Sequence, residues 1–524
     1  MERFAWLAVA MMTANVPTAD AASCESLVAL KLAETVIKSA TALDAGPFAP
    51  PGAAPSAAPL MLPAFCRVVG VTAPAVNFEV WLPLRNWNGK FQGVGNGGTA
   101  GVISYAAMAA ALARDYAVAS TDTGHVNKGG FDSSWAMGRP DLVADFGHRG
   151  LHVMTVNGKQ ITRSFYGKRP SYSYYVGCSK GGQQGLMEAQ RYPADYDGLI
   201  AGDPANNWTR FYAGGHLWYS LATLKDPESY IPASKIPLLT DAVNASCDAL
   251  DGVADGVLND PRKCAFDPAA LTCKADQDPA ACFTPKQVLA IKDVWAGARN
   301  SAGQVVHPGL VPGGEAGPGG WASWTTGTAP FTKALHWTAA EGFFKYMVFE
   351  NPNWDFRSFN FDTDLPLALA KVGGSLDAID PNLRPLKRRG GKLIVYHGWS
   401  DPDISPLNAI DYYESVVSLF GGEKDRGKAL RETQEFFRLF MVPGMQHCGA
   451  GAGPNNFGQG GAPKGDPASN IAAALEQWVE KGTAPESIVA AKPGRARPLC
   501  AYPKTAKYKG AGSTDDAANF ECVQ

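Results

Sequence analysis

The spacing of hydrophobic and polar positions divides this chain into three stretches. The first, up to about residue 207, alternates short apolar runs with segments of helical spacing. Phe78–Leu82 alternates as a strand facing two environments. Lys90–Val94 runs into Gly95-Asn96-Gly97-Gly98, and Tyr116–Ser120 runs into Thr121–Gly124. Residues 141–165 and 182–191 carry helical patterns. Ser173–Gly177 and Leu199–Gly202 read as short buried strands. From about Trp208 to about Arg388 the rhythm breaks, and tryptophans, glycines and closely spaced cysteines accumulate. It resumes at Lys392–Gly398 and Phe436–Val442, and residues 468–481 predict a terminal helix. Residues 43–63, rich in Ala and Pro, read as an irregular surface stretch.

Strands alternating with helices predict a mostly parallel sheet covered on both faces. A chain of 524 residues exceeds the roughly 250–300 at which single cores stop growing. The expected organisation is an α/β domain from 22–207 and 389–524, with 208–388 inserted over the sheet as a lid.

The N-terminus changes the picture of where the chain works. Arg3 precedes an apolar run, Phe4–Met12, and Ala19-Asp20-Ala21 fits a small-x-small cleavage site, so residues 1–21 read as a signal peptide. The run is shorter than the roughly 20 residues a membrane-spanning helix needs. All ten cysteines follow the cut. An even number in an exported chain predicts disulfides and a secreted or periplasmic location. There is no Cys-x-x-Cys, which excludes a zinc ribbon or thioredoxin-type site. A net charge of −2 implies no broad basic surface, so neither nucleic acid nor an anionic membrane is the expected partner.

Candidate chemistry centres on Gly177-Cys178-Ser179-Lys180-Gly181. This Gly-x-Ser-x-Gly lies between a strand and a helix, the context of the nucleophile elbow of an α/β-hydrolase fold. Ser179 is the expected nucleophile and the Lys180 backbone N–H one oxyanion donor. The second donor is expected from Asn96-Gly97-Gly98, with Gly98 preferred over Gly97. In this fold the triad runs Ser, acid, His, with acid and base just past strand ends. Asp401 follows the Lys392–Gly398 strand and His447 follows Phe436–Val442. Asp403 is the rival acid. Cys178 precedes the nucleophile and Cys448 follows the base, so a triad contact would bring them within disulfide reach. In the inserted segment, Asp248, Asp251 and Asp255 lie within eight residues among glycines. Such an oxygen-rich loop suits Ca²⁺, with the carbonyls of Val253 and Val257 available to complete the shell. An acidic surface turn is the alternative.

Together these residues resemble the tannase and feruloyl esterase family, which includes a bacterial hydrolase of mono(2-hydroxyethyl) terephthalate. The resemblance covers nearly the whole mature chain. It rests on Gly177–Gly182, Ala201-Gly202-Asp203-Pro204-Ala205, Tyr396–Asp401, Gly444-Met445-Gln446-His447-Cys448 and Arg497–Cys500. It implies Ser179, Asp401 and His447 as triad and a structural Ca²⁺ held by Asp248, Asp251, Val253, Asp255 and Val257. It implies disulfides Cys178–Cys448, Cys247–Cys264, Cys273–Cys282, Cys24–Cys66 and Cys500–Cys522. It also implies a small-molecule ester substrate whose aromatic acid is held between lid and core. Ile404 stands at a substrate-lining position that is aromatic in the terephthalate-ester enzyme. Trp321, Trp324, Phe344 and Arg357 are further wall candidates, each also readable as packing. The expected activity is two-step ester hydrolysis. An acyltransferase or thioesterase on the same triad, and a catalytically inactive binding protein, are the competing readings.

Overall fold

The computed structural model describes residues 22–327, 329, 333–422, 424–461 and 465–524, and the signal-peptide reading of 1–21 lies outside them. A sheet of nine strands forms the core. In chain order the strands are β1 Thr35–Leu43, β2 Phe65–Thr72, β3 Val76–Pro83, β4 Lys90–Val94, β5 Ala117–Thr121, β6 Tyr172–Cys178, β7 Gly198–Gly202, β8 Lys392–Gly398 and β9 Phe437–Val442. Their spatial order is β1-β2-β3-β5-β4-β6-β7-β8-β9. In that order, the strands from β5 to β9 run parallel to one another. The expected parallel sheet is extended at one edge, where β1, β2 and β3 join antiparallel.

The parallel strands are mostly apolar because both faces are covered. Every residue of β7 and of β9 is buried. One face packs against α2 (Gly150–Tyr166), α3 (Lys180–Arg191) and α4 (Pro406–Val417). The other packs against α1 (Tyr105–Leu112) and α5 (Ile471–Lys481). Helix α5 starts three residues later than the apolar pattern suggests. Asn470 caps it, its side chain accepting from the N–H groups of Ala472 and Ala473 at 3.1 and 3.0 Å. The helical pattern of 141–165 is broken in space by a π-helical turn at Asp145–Arg149. The stretch 43–63 also departs from expectation: Gly46–Phe48 pairs with Leu60–Leu62 as a short hairpin.

Residues 208–388 form mainly short helices around two further cores. One is aromatic, built around Trp208, Phe211, Tyr212, Phe343 and Phe344, and it also takes in Phe146 and Ile404 from outside the segment. The other gathers Ile236, Leu239, Phe283, Ile291 and Trp321. Two C-terminal hairpins, Ser487–Lys492 with Arg495–Cys500 and Thr505–Tyr508 with Phe520–Val523, follow α5. No described helix is long and apolar enough to cross a membrane.

Candidate active site

Ser179 joins β6 to α3 with φ 64° and ψ −120°. A non-glycine residue there carries strain of about 1–3 kcal/mol and stays only where its surroundings over-determine it. They do so here. The Ser179 N–H donates to the Gly202 carbonyl at the end of β7 (2.9 Å), and its carbonyl accepts from the N–H groups of Gln183 (3.1 Å) and Ala205 (3.3 Å). The flanking glycines are steric necessities. A Cβ on Gly177 would lie 2.7 Å from the Gly181 carbonyl oxygen, and one on Gly181 would lie 3.1 Å from that of Asn96.

The loop after β4 rests on α3. Gln184 accepts from the Asn96 N–H and donates to Asn96 Oδ1, both at 3.0 Å. Asn96 Nδ2 donates to the carbonyls of Val102 and Thr121, both at 2.9 Å. This holds Gly97 and Gly98 on the wall of the cavity that Ser179 lines. Lys180 opens α3, so its N–H belongs to the helix N-terminus. Its ammonium packs away from the chemistry, 4.0 Å from the Phe146 ring centre and hydrogen-bonded to Gln183. Burial pushes that amine well below the usual lysine range.

Past β8, Asp401 is buried and fully engaged. Its Oδ1 accepts from the N–H groups of Asp403 (2.8 Å) and Ile404 (3.0 Å). Its Oδ2 lies 2.8 Å from His447 Nδ1 and 3.2 Å from His397 Nε2. Burial opposes its ionisation, but His447 and His397 outweigh burial and hold the carboxyl below its ordinary value. Asp403, the rival acid, approaches the opposite nitrogen, with Oδ2 3.4 Å from His447 Nε2. Burial alone would lower the His447 imidazole; the charges of Asp401 and Asp403 reverse that and raise it.

Asp203, at the end of β7, fixes this arrangement and carries a role that its motif did not reveal. Its Oδ1 accepts from the Gly398 N–H at 2.7 Å and its Oδ2 from the Cys448 N–H at 2.8 Å. One buried carboxylate thereby joins the acid strand to the base loop. Cys178 and Cys448 are bonded with Cα atoms 6.0 Å apart, across a sequence separation of 270. The other four bridges are Cys24–Cys66, Cys247–Cys264, Cys273–Cys282 and Cys500–Cys522, the pairing that the resemblance implied. Replacing Cys178 and Cys448 together by alanine is expected to destabilise the protein by about 2–5 kcal/mol. Denaturant unfolding checks this, and unchanged stability would refute it.

Ser179 and His447 line one cavity of about 440 Å³, with Gly98, Phe131, Trp324 and Cys448 among its walls. The size suits a ligand carrying one aromatic ring. Trp324 meets His447 edge to face with ring centres 5.7 Å apart.

Comparison with known proteins decides the family. The model for tannase and feruloyl esterase matches residues 62–523. The chain belongs to the tannase and feruloyl esterase family. An uncharacterized esterase of Xanthomonas campestris pv. campestris is 42% identical, with 98% of this chain and 94% of that protein covered. A probable feruloyl esterase B of Aspergillus clavatus is 35% identical over 86% of this chain and 84% of its own. The crystal structure of feruloyl esterase B from Aspergillus oryzae superposes with a TM-score of 0.87 at 31% identity, covering 95% of this chain and 99% of that one. The protein is therefore an esterase with an α/β fold.

For this esterase, the packing reading of the wall candidates holds for Trp321 and Phe344. Trp321 and Phe344 are buried in the cores of the 208–388 segment. Arg357 is an exposed partner of Asp355 at 3.3 Å. Ile404 is buried in the aromatic core and is not among the cavity-lining residues. Trp324 alone of the four wall candidates reaches the cavity. In the acidic loop, Asp251, Val253, Asp255 and Val257 line one small recess. Asp248 instead turns to the backbone, accepting from Gly256 N–H (2.8 Å) and Val257 N–H (3.2 Å). Asp255 is also paired with Arg497 and, at 3.5 Å, with Arg495. Burial, with the neighbouring charges of Asp255 and Asp248, pushes Asp251 up to about 6. A surplus of oxygen donors and negative charge of this kind fits a hard cation.

Proposed function

We propose that this esterase is a secreted or periplasmic enzyme that hydrolyses esters of aromatic carboxylic acids through an acyl-enzyme on Ser179. The observation that carries the reading is the strained Ser179 on the wall of the cavity that His447 also lines, with His447 oriented through Nδ1 by Asp401. In the proposed course, Ser179 Oγ attacks the ester carbonyl and its proton passes to His447 Nε2. The N–H groups of Lys180 and Gly98 receive the developing oxyanion. The alcohol leaves with the proton from His447. Water then attacks the acyl-enzyme by the same route and frees the acid. Residues 208–388 serve as the lid, contributing Trp324 opposite the core wall. Family membership and the aromatic edges of Phe131 and Trp324 support a ring-bearing acyl group.

A panel of methyl ferulate, methyl gallate, mono(2-hydroxyethyl) terephthalate and p-nitrophenyl butyrate tests the reading. A clear preference for one aromatic ester is expected. Activity confined to p-nitrophenyl butyrate would remove the aromatic-acid assignment while leaving the esterase.

Ca²⁺ is proposed to be held by Asp248, Asp251, Val253, Asp255 and Val257, where it would neutralise the loop and fasten it to the C-terminal hairpins. Val253 already packs against Cys500, Ala506 and Phe520 there. Chelation is expected to lower the melting temperature by a few degrees, since a ligand at about 100 times its Kd contributes about 2.7 kcal/mol. The loss should be smaller at pH 5 than at pH 7. A carboxyl raised to about 6 binds a proton more readily folded than unfolded, so the metal-free protein loses stability as pH rises through that range. Calorimetry with and without chelator at both pH values checks this; an equal shift at both would contradict it.

A further inference from the structure

Beside the candidate active site is a buried histidine cluster that the proposed mechanism leaves unused. We propose that His216, His336 and Asp403 form a site for a borderline transition-metal cation of the zinc class, on the far side of the Asp403 carboxylate from His447, and that occupancy reversibly inhibits the esterase. The inhibitory half rests on His447 acting as the base; the binding half does not.

The geometry carries the proposal. Asp403 Oδ1 lies 2.6 Å from His216 Nε2 and 3.6 Å from His336 Nε2. Asp403 Oδ2 lies 3.4 Å from His447 Nε2. Zinc–nitrogen and zinc–oxygen bonds of about 2.0–2.1 Å in a tetrahedron separate neighbouring ligand atoms by roughly 3.3 Å. The two separations from Asp403 Oδ1 bracket that value, so shifts of up to roughly 0.7 Å would seat an ion among His216, His336 and Asp403. One donor from each of His216, His336 and Asp403 lies within 4.8 Å of the others. Two imidazoles and a carboxylate suit zinc, whereas the all-oxygen loop suits calcium.

The cluster is also incompletely satisfied. His336 is 0% and His216 1% exposed. Among the described residues, neither ring nitrogen of His336 has a hydrogen-bonding partner, nor has His216 Nδ1. Leaving a buried polar atom unpaired is unfavourable, and an ion would engage His336 Nε2. His216 lies in a π-helical turn, Tyr212–Leu217, a distortion frequent at functional positions. The shell is aromatic. Trp324 lies 5.6 Å from the His336 ring and 6.4 Å from His216, and Phe211 is 4.2 Å from His216. Burial holds both histidines below the ordinary imidazole range, in the neutral form that binds metal.

Protons balance without an external base. His216 Nε2–H now points at Asp403. On binding, that proton relocates to the unpartnered Nδ1, the imidazole stays neutral, and Nε2 takes the ion. His447 keeps its Nδ1 contact with Asp401, while an ion on Asp403 places positive charge behind the carboxylate that faces His447 Nε2 and so disfavours protonation there. That is the nitrogen that would otherwise receive the Ser179 proton. His447 lines the cavity, so the cluster lies one side chain behind its wall.

The test uses the full oxidised chain with its calcium supplied. Zinc binding to Ser179→Ala is measured by competition with a chromophoric chelator, a readout independent of turnover. One zinc per chain is expected, together with reversible inhibition of wild-type p-nitrophenyl butyrate hydrolysis. His336→Gln and His216→Gln should each raise the inhibitory concentration at least roughly tenfold, judged against the variant's own metal-free rate. Co²⁺ is the second probe. The wild-type complex should show the visible absorption of low-coordinate, imidazole-bound cobalt. This result needs no variant to fold. Absence of a bound ion, a cobalt spectrum without imidazole, or equal inhibition of wild type and both variants would overturn the proposal. Stoichiometric zinc without inhibition would overturn the inhibitory half of the proposal.

Discussion

Ser179→Ala is expected to reduce kcat/KM toward every ester the enzyme accepts by on the order of 10⁴–10⁶-fold, with KM little changed. The alanine keeps the elbow backbone and the cavity, so substrate still binds. It removes the only atom proposed to form the covalent intermediate. The residual rate would come from the oxyanion N–H groups and from binding alone. Stability should stay the same or rise slightly, because the φ of 64° is imposed by the flanking hydrogen bonds and not by the hydroxyl. Steady-state kinetics and a fluorophosphonate label, which should mark wild type and spare the variant, read this out. Wild-type turnover by Ser179→Ala would refute the nucleophile assignment.

The second large effect separates the two acids around His447. Asp401→Asn should lower kcat by on the order of 10⁴-fold, since a neutral amide no longer fixes the Nδ1–H tautomer or stabilises the imidazolium. Asp403→Asn should cost at most about tenfold, because its carboxylate faces Nε2 and orients nothing the reaction requires. The two also differ in pH dependence. His447 must be neutral to accept a proton, so activity rises with pH through its titration. Removing the Asp403 charge takes away one of the causes that raise it, and the acidic limb should move to lower pH. A profile of kcat/KM against pH for Asp403→Asn checks the direction. A move to higher pH, or an equal loss for both variants, would contradict the roles assigned.

The legible parts of the site are those whose geometry is local. The elbow is a five-residue problem: a tight turn needs glycines at 177 and 181 whatever the rest of the chain does. Asp401 and His447 were readable because the ends of parallel strands collect along one edge, so chain order and strand-end position suffice. Asp203 was not readable. Its worth lies in accepting N–H groups from residues 398 and 448 at once, and only the assembled sheet brings those together. The same holds for His216 and His336, which meet Asp403 through packing of the inserted helices. Trp321, Phe344 and Trp324 are alike in sequence as large aromatics among glycines. Which of them faces substrate is set by how two cores form within 208–388, and no periodicity encodes that. The antiparallel edge was missed for a related reason, since β1 and β2 differ from parallel strands only in their partners.

The bridge between Cys178 and Cys448 has a consequence for when the enzyme can work. Its ends lie 270 residues apart in sequence, so nearly the whole chain must be made before it can close. In a reducing compartment the thiols stay apart, and the strained serine and the base loop are then held together by packing and the Asp203 contacts alone. Oxidation after translocation would supply the missing tie. Under the export proposed above, full assembly of the site would wait on that oxidation, and ester cleavage would follow it.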